Sequence, residues 1–395
     1  MVDEPWVVRS YEEPAKTILR DGGRTDSWFV ARYGMNLYRG CQHGCAYCDG
    51  RAEKYRVEGE FERDIGVKAG APALLARELD RLREPGLIFI GGGVSDGWQP
   101  LEARHGLART ALELALERGL PVSVLTKSAL VERDLDLLVD IQQKSRAILS
   151  FSIATLDEGV RERFEPGAAP IAERWWLLEE AKRRGLATGV MAMPLMPGIA
   201  DSAEDILALF ARAADAGVDF LLAGGLTLRP GRQAEHFFAT VGRHRPDLLP
   251  AYQRAYGQAG PSGAAPRALH RRHEERFREA FARTGLASRM PRGLFTGLMP
   301  QHIELAVLLE QRDHAAELEG RREPWLSRSG WAIQTWSRAR LARRRGTEAW
   351  RAVEAEFREL LDGGRLDIEG LDPRAVPLLC AWAADLPAMR QGRLF

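Results

Sequence analysis

The sequence predicts an α/β fold in which parallel strands alternate with helices and a helical C-terminal region follows. Three observations predict it. From about residue 34, short apolar runs alternate with amphipathic stretches. Each run ends in a loop rich in Gly, Pro and small polar residues, and the alternation stops near residue 235. Six successive strands separated by helices imply βαβ units, because parallel neighbours need a crossover.

Taken in order, the expected strands are 34–38, 87–91, 122–127, 147–153, 188–193 and 220–224. The helices between them fall near 71–82, 102–118, 129–142, 171–184 and 203–216. Leu107, Ala111 and Leu114, at three- and four-residue spacing, give the second of these one apolar face. Periodicity alone allows an open doubly wound sheet or a complete or partial barrel. In a barrel, function sits on loops at the C-terminal ends of the strands. Here those loops are the Cys segment, GGGVSDGWQP, TKS, SIATLD, MPLMPG and GGLTLRPG. Residues 1–30 read as a polar lead-in and 31–235 as the α/β domain. Residues 236–395 read as a mainly helical region with helices near 268–284, 301–318, 331–344 and 347–361.

Composition narrows the classes. A chain of 395 residues, 45% hydrophobic and 28% charged, has the balance of a globular protein. The N-terminus lacks a basic start followed by an apolar core, and no run of about eighteen apolar residues occurs. A cytoplasmic protein without a membrane span is expected. A net charge of +1 excludes a globally basic polyanion binder, so any such surface must be local. Only six lysines occur, which makes Lys127 in TKS conspicuous.

Four cysteines in a chain this long are no disulfide framework, and three of them, Cys41, Cys45 and Cys48, fall within eight residues. Gly40 and Gly44 supply the backbone freedom to fold the segment around one centre. Thiolates are the usual ligands of iron–sulfur clusters, normally four to a cubane, so three local ligands leave one iron open. Zinc bound by these thiols and His43 is an alternative, but His43 would have to bend back between two ligands. Cys380 as a distant fourth ligand is another. It lies in AVPLLCAWAA, which reads as a buried apolar helix face.

The motif Cys-x-x-x-Cys-x-aromatic-Cys resembles the signature of the radical S-adenosylmethionine (SAM) superfamily. The series MNLYRGCQHGCAYCDGRAEKY, VSDGWQPLE, VLTKSALVERDLDLL, SIATLD, RFEPG and MPLMPG resembles its spore photoproduct lyase-like branch, in the same order over roughly residues 26–230. The resemblance implies a partial (β/α)6 TIM-like barrel. It implies a [4Fe–4S] cluster on the three cysteines and SAM on the open iron. Reductive cleavage of SAM then gives a 5′-deoxyadenosyl radical that abstracts hydrogen from substrate. It further implies that Tyr47 packs beside the adenine and that Gly91, Gly92 and Gly93 offer a backbone edge to the methionine amino group. Asp96 is the nearest acid for that element, Lys127 would neutralise the SAM carboxylate, and Ser152 would bond ribose or carboxylate. Gln99, Glu102 and Arg163 to Pro166 match the branch pattern without an assigned role.

Two departures matter. The lyase returns hydrogen to its product from a barrel cysteine, and here no Cys lies between Cys48 and Cys380. Asp49–Gly50 also stands where many branch members carry an aromatic and Ala. A different substrate is expected.

From Arg321 to Arg345, eight Arg stand against one acid, Glu323, interleaved with Trp325, Trp331 and Trp336. Arginines neutralise phosphate and aromatic faces stack on unpaired bases, so this stretch is a candidate nucleic-acid docking surface. An amphipathic helix with its Trp residues turned inward is the alternative. The expected function is hydrogen abstraction on a nucleic-acid or nucleotide substrate, with a flavodoxin- or ferredoxin-like one-electron reductase as partner. A small-molecule or peptide substrate, or a non-catalytic iron–sulfur nucleic-acid-binding or sensor protein, are the other readings.

Overall fold

The computed structural model describes residues 7–91, 94–364 and 366–385. In chain order the elements begin with β1 (Arg9–Glu12), β2 (Leu19–Asp21), β3 (Ala31–Met35), β4 (Tyr38–Arg39) and β5 (Asp64–Val67). There follow α1 (Ala71–Leu79), β6 (Leu87–Ile90), α2 (Glu102–His105), α3 (Leu107–Glu117), β7 (Val122–Thr126), α4 (Leu135–Lys144) and β8 (Ala147–Ser152). Next come α5 (Glu158–Phe164), α6 (Ile171–Arg183), β9 (Ala187–Leu195), α7 (Ala203–Asp215) and β10 (Phe220–Gly225). The chain continues through α8 (Arg232–His244), α9 (Leu249–Tyr256) and α10 (Arg267–Thr284). It closes with α11 (Gln301–Leu318), α12 (Trp325–Ala342), α13 (Ala349–Asp362) and α14 (Ala375–Ala384).

The main sheet has the order β10-β9-β8-β7-β6-β3-β2. Strands β3 and β6 to β10 are parallel neighbours, while β2 pairs antiparallel with β3 at the edge. Six parallel strands in sequential order, with β3 and β10 not paired among the described residues, make the partial barrel that the resemblance implies. Side chains alternate across it. Ile88, Val124, Phe151 and Val190 face the outer helices. Leu87, Ile148, Met191 and Phe220 face the concave side, where Met299, Ile303 and Val307 cover them. The helical region, built around Leu309, Ile333, Trp350 and Phe357, thus plugs one face of the barrel with α11 and keeps a second core of its own.

The lead-in is more than a lead-in. Residues 9–12 pair with β5 and 19–21 add an edge strand to the main sheet. Both are short and largely exposed, so burial leaves no alternating pattern in their sequence. Strands β4 and β5 pair antiparallel and hold the whole Cys segment as the wide loop between them.

Candidate functional site

The Cys segment is pinned from four sides. Cys41 N–H donates to the Phe61 carbonyl at 3.0 Å, and Ala46 N–H donates to the Phe164 carbonyl at 2.8 Å. Gly167 N–H donates to the His43 carbonyl at 2.9 Å. Arg51 donates to the carbonyls of Cys45 and Gly44, each at 3.0 Å, and pairs with Glu62 at 2.9 Å. Gln233, in the first turn of α8, donates to the Tyr47 carbonyl at 2.9 Å. Gly167 must be glycine, because a Cβ there would stand 2.2 Å from the Gln42 carbonyl oxygen. The RFEPG motif therefore shapes the Cys loop by close backbone approach.

The three thiols share this loop in an apolar surround. Cys41 packs with Val57 and Phe61, and Cys45 with Phe164, Met196 and Leu226. Burial pushes all three thiols up, Cys45 to about 12, and for Cys41 the negative charges of Asp96, Cys48 and Cys45 add to it. Thiolates so placed would need a cationic partner, as a metal centre provides. Among the described residues, no three His, Cys, Asp or Glu side chains converge closely enough to hold a single metal ion. His43 is turned to Asp96, with Nδ1 at 3.4 Å from the carboxylate.

Behind Tyr47 lies a buried charged group. Tyr47 O–H donates to Glu165 Oε1, and Arg174 Nη1 stands 2.7 Å from Glu165 Oε2. Arg174 also donates to the carbonyls of Ala169 and Ser152 at 2.8 and 2.9 Å. Glu165 Oε2 and Arg174 Nη2 nevertheless lack a hydrogen-bond partner of proper geometry, which leaves polar capacity at the floor of the rim. Burial would raise the Glu165 carboxyl, but Arg174 and Lys127 outweigh it and hold it low. Lys127 caps β7 with its ammonium 5.7 Å from the Tyr47 ring centroid. Burial disfavours its charge, but the Cys45 thiolate and Glu165 prevail and raise its pKa. No carboxylate lies within ion-pair distance of Lys127 among the described residues, so its charge is available to an anion.

Other expected site residues are differently employed. Asp96 accepts from Trp98 N–H at 2.8 Å, Lys127 N–H at 2.9 Å and the Thr126 hydroxyl at 2.9 Å. With His43 also against it, its acceptor positions are filled. Together these bonds staple the loop after β6 to the end of β7. Gly91 takes a left-handed φ of 100°, and a Cβ there would meet the Leu125 carbonyl oxygen at 2.2 Å. Gly92 and Gly93 lie outside the described residues. Ser152 is on the concave face at the strand end and donates to the Met193 carbonyl at 3.2 Å. Gln99 and Glu102 are scaffold: Gln99 accepts from Gln42 N–H at 2.9 Å, and Glu102 takes Tyr38 O–H at 2.5 Å and Arg133 at 3.0 Å. Cys380 is exposed on α14, which packs on α11 and α13. The expected buried face is corrected, since its buried neighbours there are Ala375 and Leu379.

The sequence profile of the radical SAM superfamily matches residues 35–211, the span from β3 into α7 that carries the cysteines, Lys127 and Glu165. A protein of Mycobacterium tuberculosis without a described function is 30% identical over 234 residues, which are 58% of this chain and 68% of the relative. The chain belongs to the radical SAM superfamily. Radical SAM enzymes use a [4Fe–4S] cluster and SAM, and the chain is an enzyme of that kind. A radical SAM Nα-GlyT isomerase of Pseudomonas phage M6 is 25% identical over 179 residues, covering 45% of this chain and 35% of the isomerase. In fold, the chain is similar to a spore photoproduct lyase variant with bound AdoMet and dinucleoside spore photoproduct. The TM-score is 0.51 at 18% identity, over 67% of this chain and 78% of the lyase.

The stretch from Arg321 to Arg345 is not brought to this radical SAM site. Trp336 is buried against Phe357, and Arg340 and Arg344 pair with Glu356 at 2.5 and 2.9 Å. Trp331 is exposed, with Arg24 stacked on it at 4.9 Å. Arg83, just before β6, donates to the carbonyls of Leu341 and Arg344 at 2.6 Å. The end of α12 therefore lies at the N-terminal ends of the strands. A cavity of about 360 Å³ between Arg32, Arg83 and Arg338 lies there too, away from the cysteines.

Proposed function

We propose that Cys41, Cys45 and Cys48 hold the [4Fe–4S] cluster and that Lys127 receives the carboxylate of SAM on the open iron. The observation that carries this reading is the rim itself: two buried thiols and a half-buried one on one pinned loop, with an ammonium facing them that has no ion-pair partner among the described residues. When bound, the cluster and SAM supply an electron to break the C5′–S bond and a carbon radical to abstract hydrogen. The residues of this chain do the rest. Arg51, Gln233 and Gly167 hold the loop; Glu165 and Arg174 fix Tyr47; Phe164, Met196 and Leu226 keep water from the Cys45 side. A flavodoxin- or ferredoxin-like protein is the proposed electron donor.

For substrate we propose a nucleic acid or nucleotide. The resemblance in fold to a protein holding a dinucleoside supports this. The absence of a cysteine between Cys48 and Cys380 argues against the lyase reaction itself. A small molecule or peptide is the competing substrate class. Anaerobically reconstituted protein with dithionite should convert SAM to 5′-deoxyadenosine and methionine. A fully loaded sample that forms neither would refute the proposal.

A further inference from the structure

Two arginine-rich surfaces sit at opposite ends of the barrel strands, and one of them is at the same end as the cysteines. Residues 248–273 contain Arg254, Arg267, Arg271 and Arg272 with His270 and His273, and no Asp or Glu. Both ends of this segment are fastened to loops that follow β9 and β10. Tyr252 O–H donates to the Pro197 carbonyl at 2.7 Å, and Tyr256 O–H to the Leu226 carbonyl at 3.1 Å. With those two rings turned inward, Arg254 is on the outer side of α9 and exposed. Leu228 N–H donates to the Gly263 carbonyl at 2.8 Å. At the start of α10, Asp201 takes His273 Nε2 at 2.8 Å and Arg272 at 2.9 Å, with Arg276 also against it.

Arg229 ties the segment to the Cys loop. Its Nη1 donates to the Pro261 carbonyl at 2.8 Å and its Nε to Asp49 at 2.9 Å, the residue after Cys48. Arg229, Arg272 and Arg276 are thus consumed in holding the segment. Arg254, Arg267 and Arg271 are exposed, and among the described residues none has an ion-pair partner. On a chain of net charge +1, three arginines without an ion-pair partner beside the catalytic rim form a local positive field, bounded on α10 by Glu274, which pairs with His270 at 3.0 Å, and Glu275. The 321–345 stretch differs in place: it is at the far end of the strands, and Arg321, Arg340 and Arg344 in it are paired with acids.

We propose that the 248–273 segment, through Arg254, Arg267 and Arg271, is the docking surface for the phosphate backbone of a nucleic-acid substrate. The proposal rests on the nucleic-acid reading above and adds the surface that would serve it. Arginines without exposed aromatic neighbours suit backbone contacts rather than base stacking.

The test is fluorescence anisotropy of the cluster-loaded full chain with 24-nucleotide single strands, one of DNA and one of RNA, over a range of salt. Combined Arg254→Glu, Arg267→Glu and Arg271→Glu should weaken binding about tenfold or more and lower the salt slope by roughly two. Arg343→Glu with Arg345→Glu should change it by no more than about twofold. Iron content and the visible spectrum report that the triple variant is folded, and the tighter-bound strand identifies the source of the phosphates. Equal binding by the triple variant and wild type, or a larger loss from the Arg343 and Arg345 pair, would overturn the proposal. So would wild-type protein that cleaves SAM but binds neither strand, which leaves the SAM chemistry standing. Protein that binds but does not cleave SAM would sink that chemistry alone.

Discussion

Cys45→Ala should abolish the visible absorbance of the reconstituted cluster, whereas Cys380→Ala should retain full iron content, because Cys380 is exposed on α14. Lys127→Met is expected to raise the Kd for SAM about tenfold, the size of one lost charge-assisted contact, with the cluster spectrum unchanged. Isothermal titration of the loaded protein would read that shift. Arg174→Met leaves Glu165 buried against Tyr47 without its cation, and breaking such a pair costs about 3–5 kcal/mol in urea unfolding. How much of the site was legible depended on distance along the chain. The cysteines announce themselves because their ligand geometry is local. Glu165 was marked only as part of RFEPG, without a role, and Arg174 not at all, since their meaning arises only when α6 brings Arg174 beneath Tyr47. Asp96 shows the same dependence, since its donors Trp98, Thr126 and Lys127 come together only when the loop after β6 meets the end of β7.

Among the elements, the parallel strands of the main sheet were readable and β1, β2, β4 and β5 were not. Strands β6 to β10 and helices such as α6 and α7 are buried on defined faces, so apolar period and flanking loops expose them. Helix α7 also carries its start signal, Ser202 and Asp205 bonding reciprocally as a capping box. By contrast β1, β2 and β4 are two to four residues long and depend on partners distant in sequence. Helices α8 and α9 were missed because their buried sides meet the rim rather than the sheet. Close approach between elements yields a further test. Gly167→Ala drives a Cβ into the Gln42 carbonyl, so it should lower both Tm and the rate of cluster reconstitution. Gly70→Ala, where a Cβ meets nothing within 4 Å, should alter stability by no more than about 0.5 kcal/mol.

Across the whole molecule, the C-terminal helices cover the concave face of the barrel and also take hold of its N-terminal segment. Gln334 on α12 accepts from Thr25 N–H at 2.8 Å and donates to the Thr25 carbonyl at 2.9 Å and to Glu310 at 3.1 Å. Burial, reinforced by Asp26 and opposed by Gln334, Arg24 and Trp331, pushes the Glu310 carboxyl up to about 7. A carboxyl raised in the folded state contributes stability below its unfolded value near 4.5 and loses it as pH rises through 7. The loss amounts to about 3 kcal/mol at most, and Glu310→Gln should flatten this part of the pH dependence of unfolding. All of this architecture serves a cluster with one iron left for SAM. The most direct test is electron paramagnetic resonance of the reduced, loaded protein with and without SAM. Binding at the open iron predicts a changed g tensor on adding SAM and hyperfine broadening with ¹⁷O-carboxylate-labelled SAM. A well-formed [4Fe–4S]⁺ signal that SAM leaves untouched would contradict it.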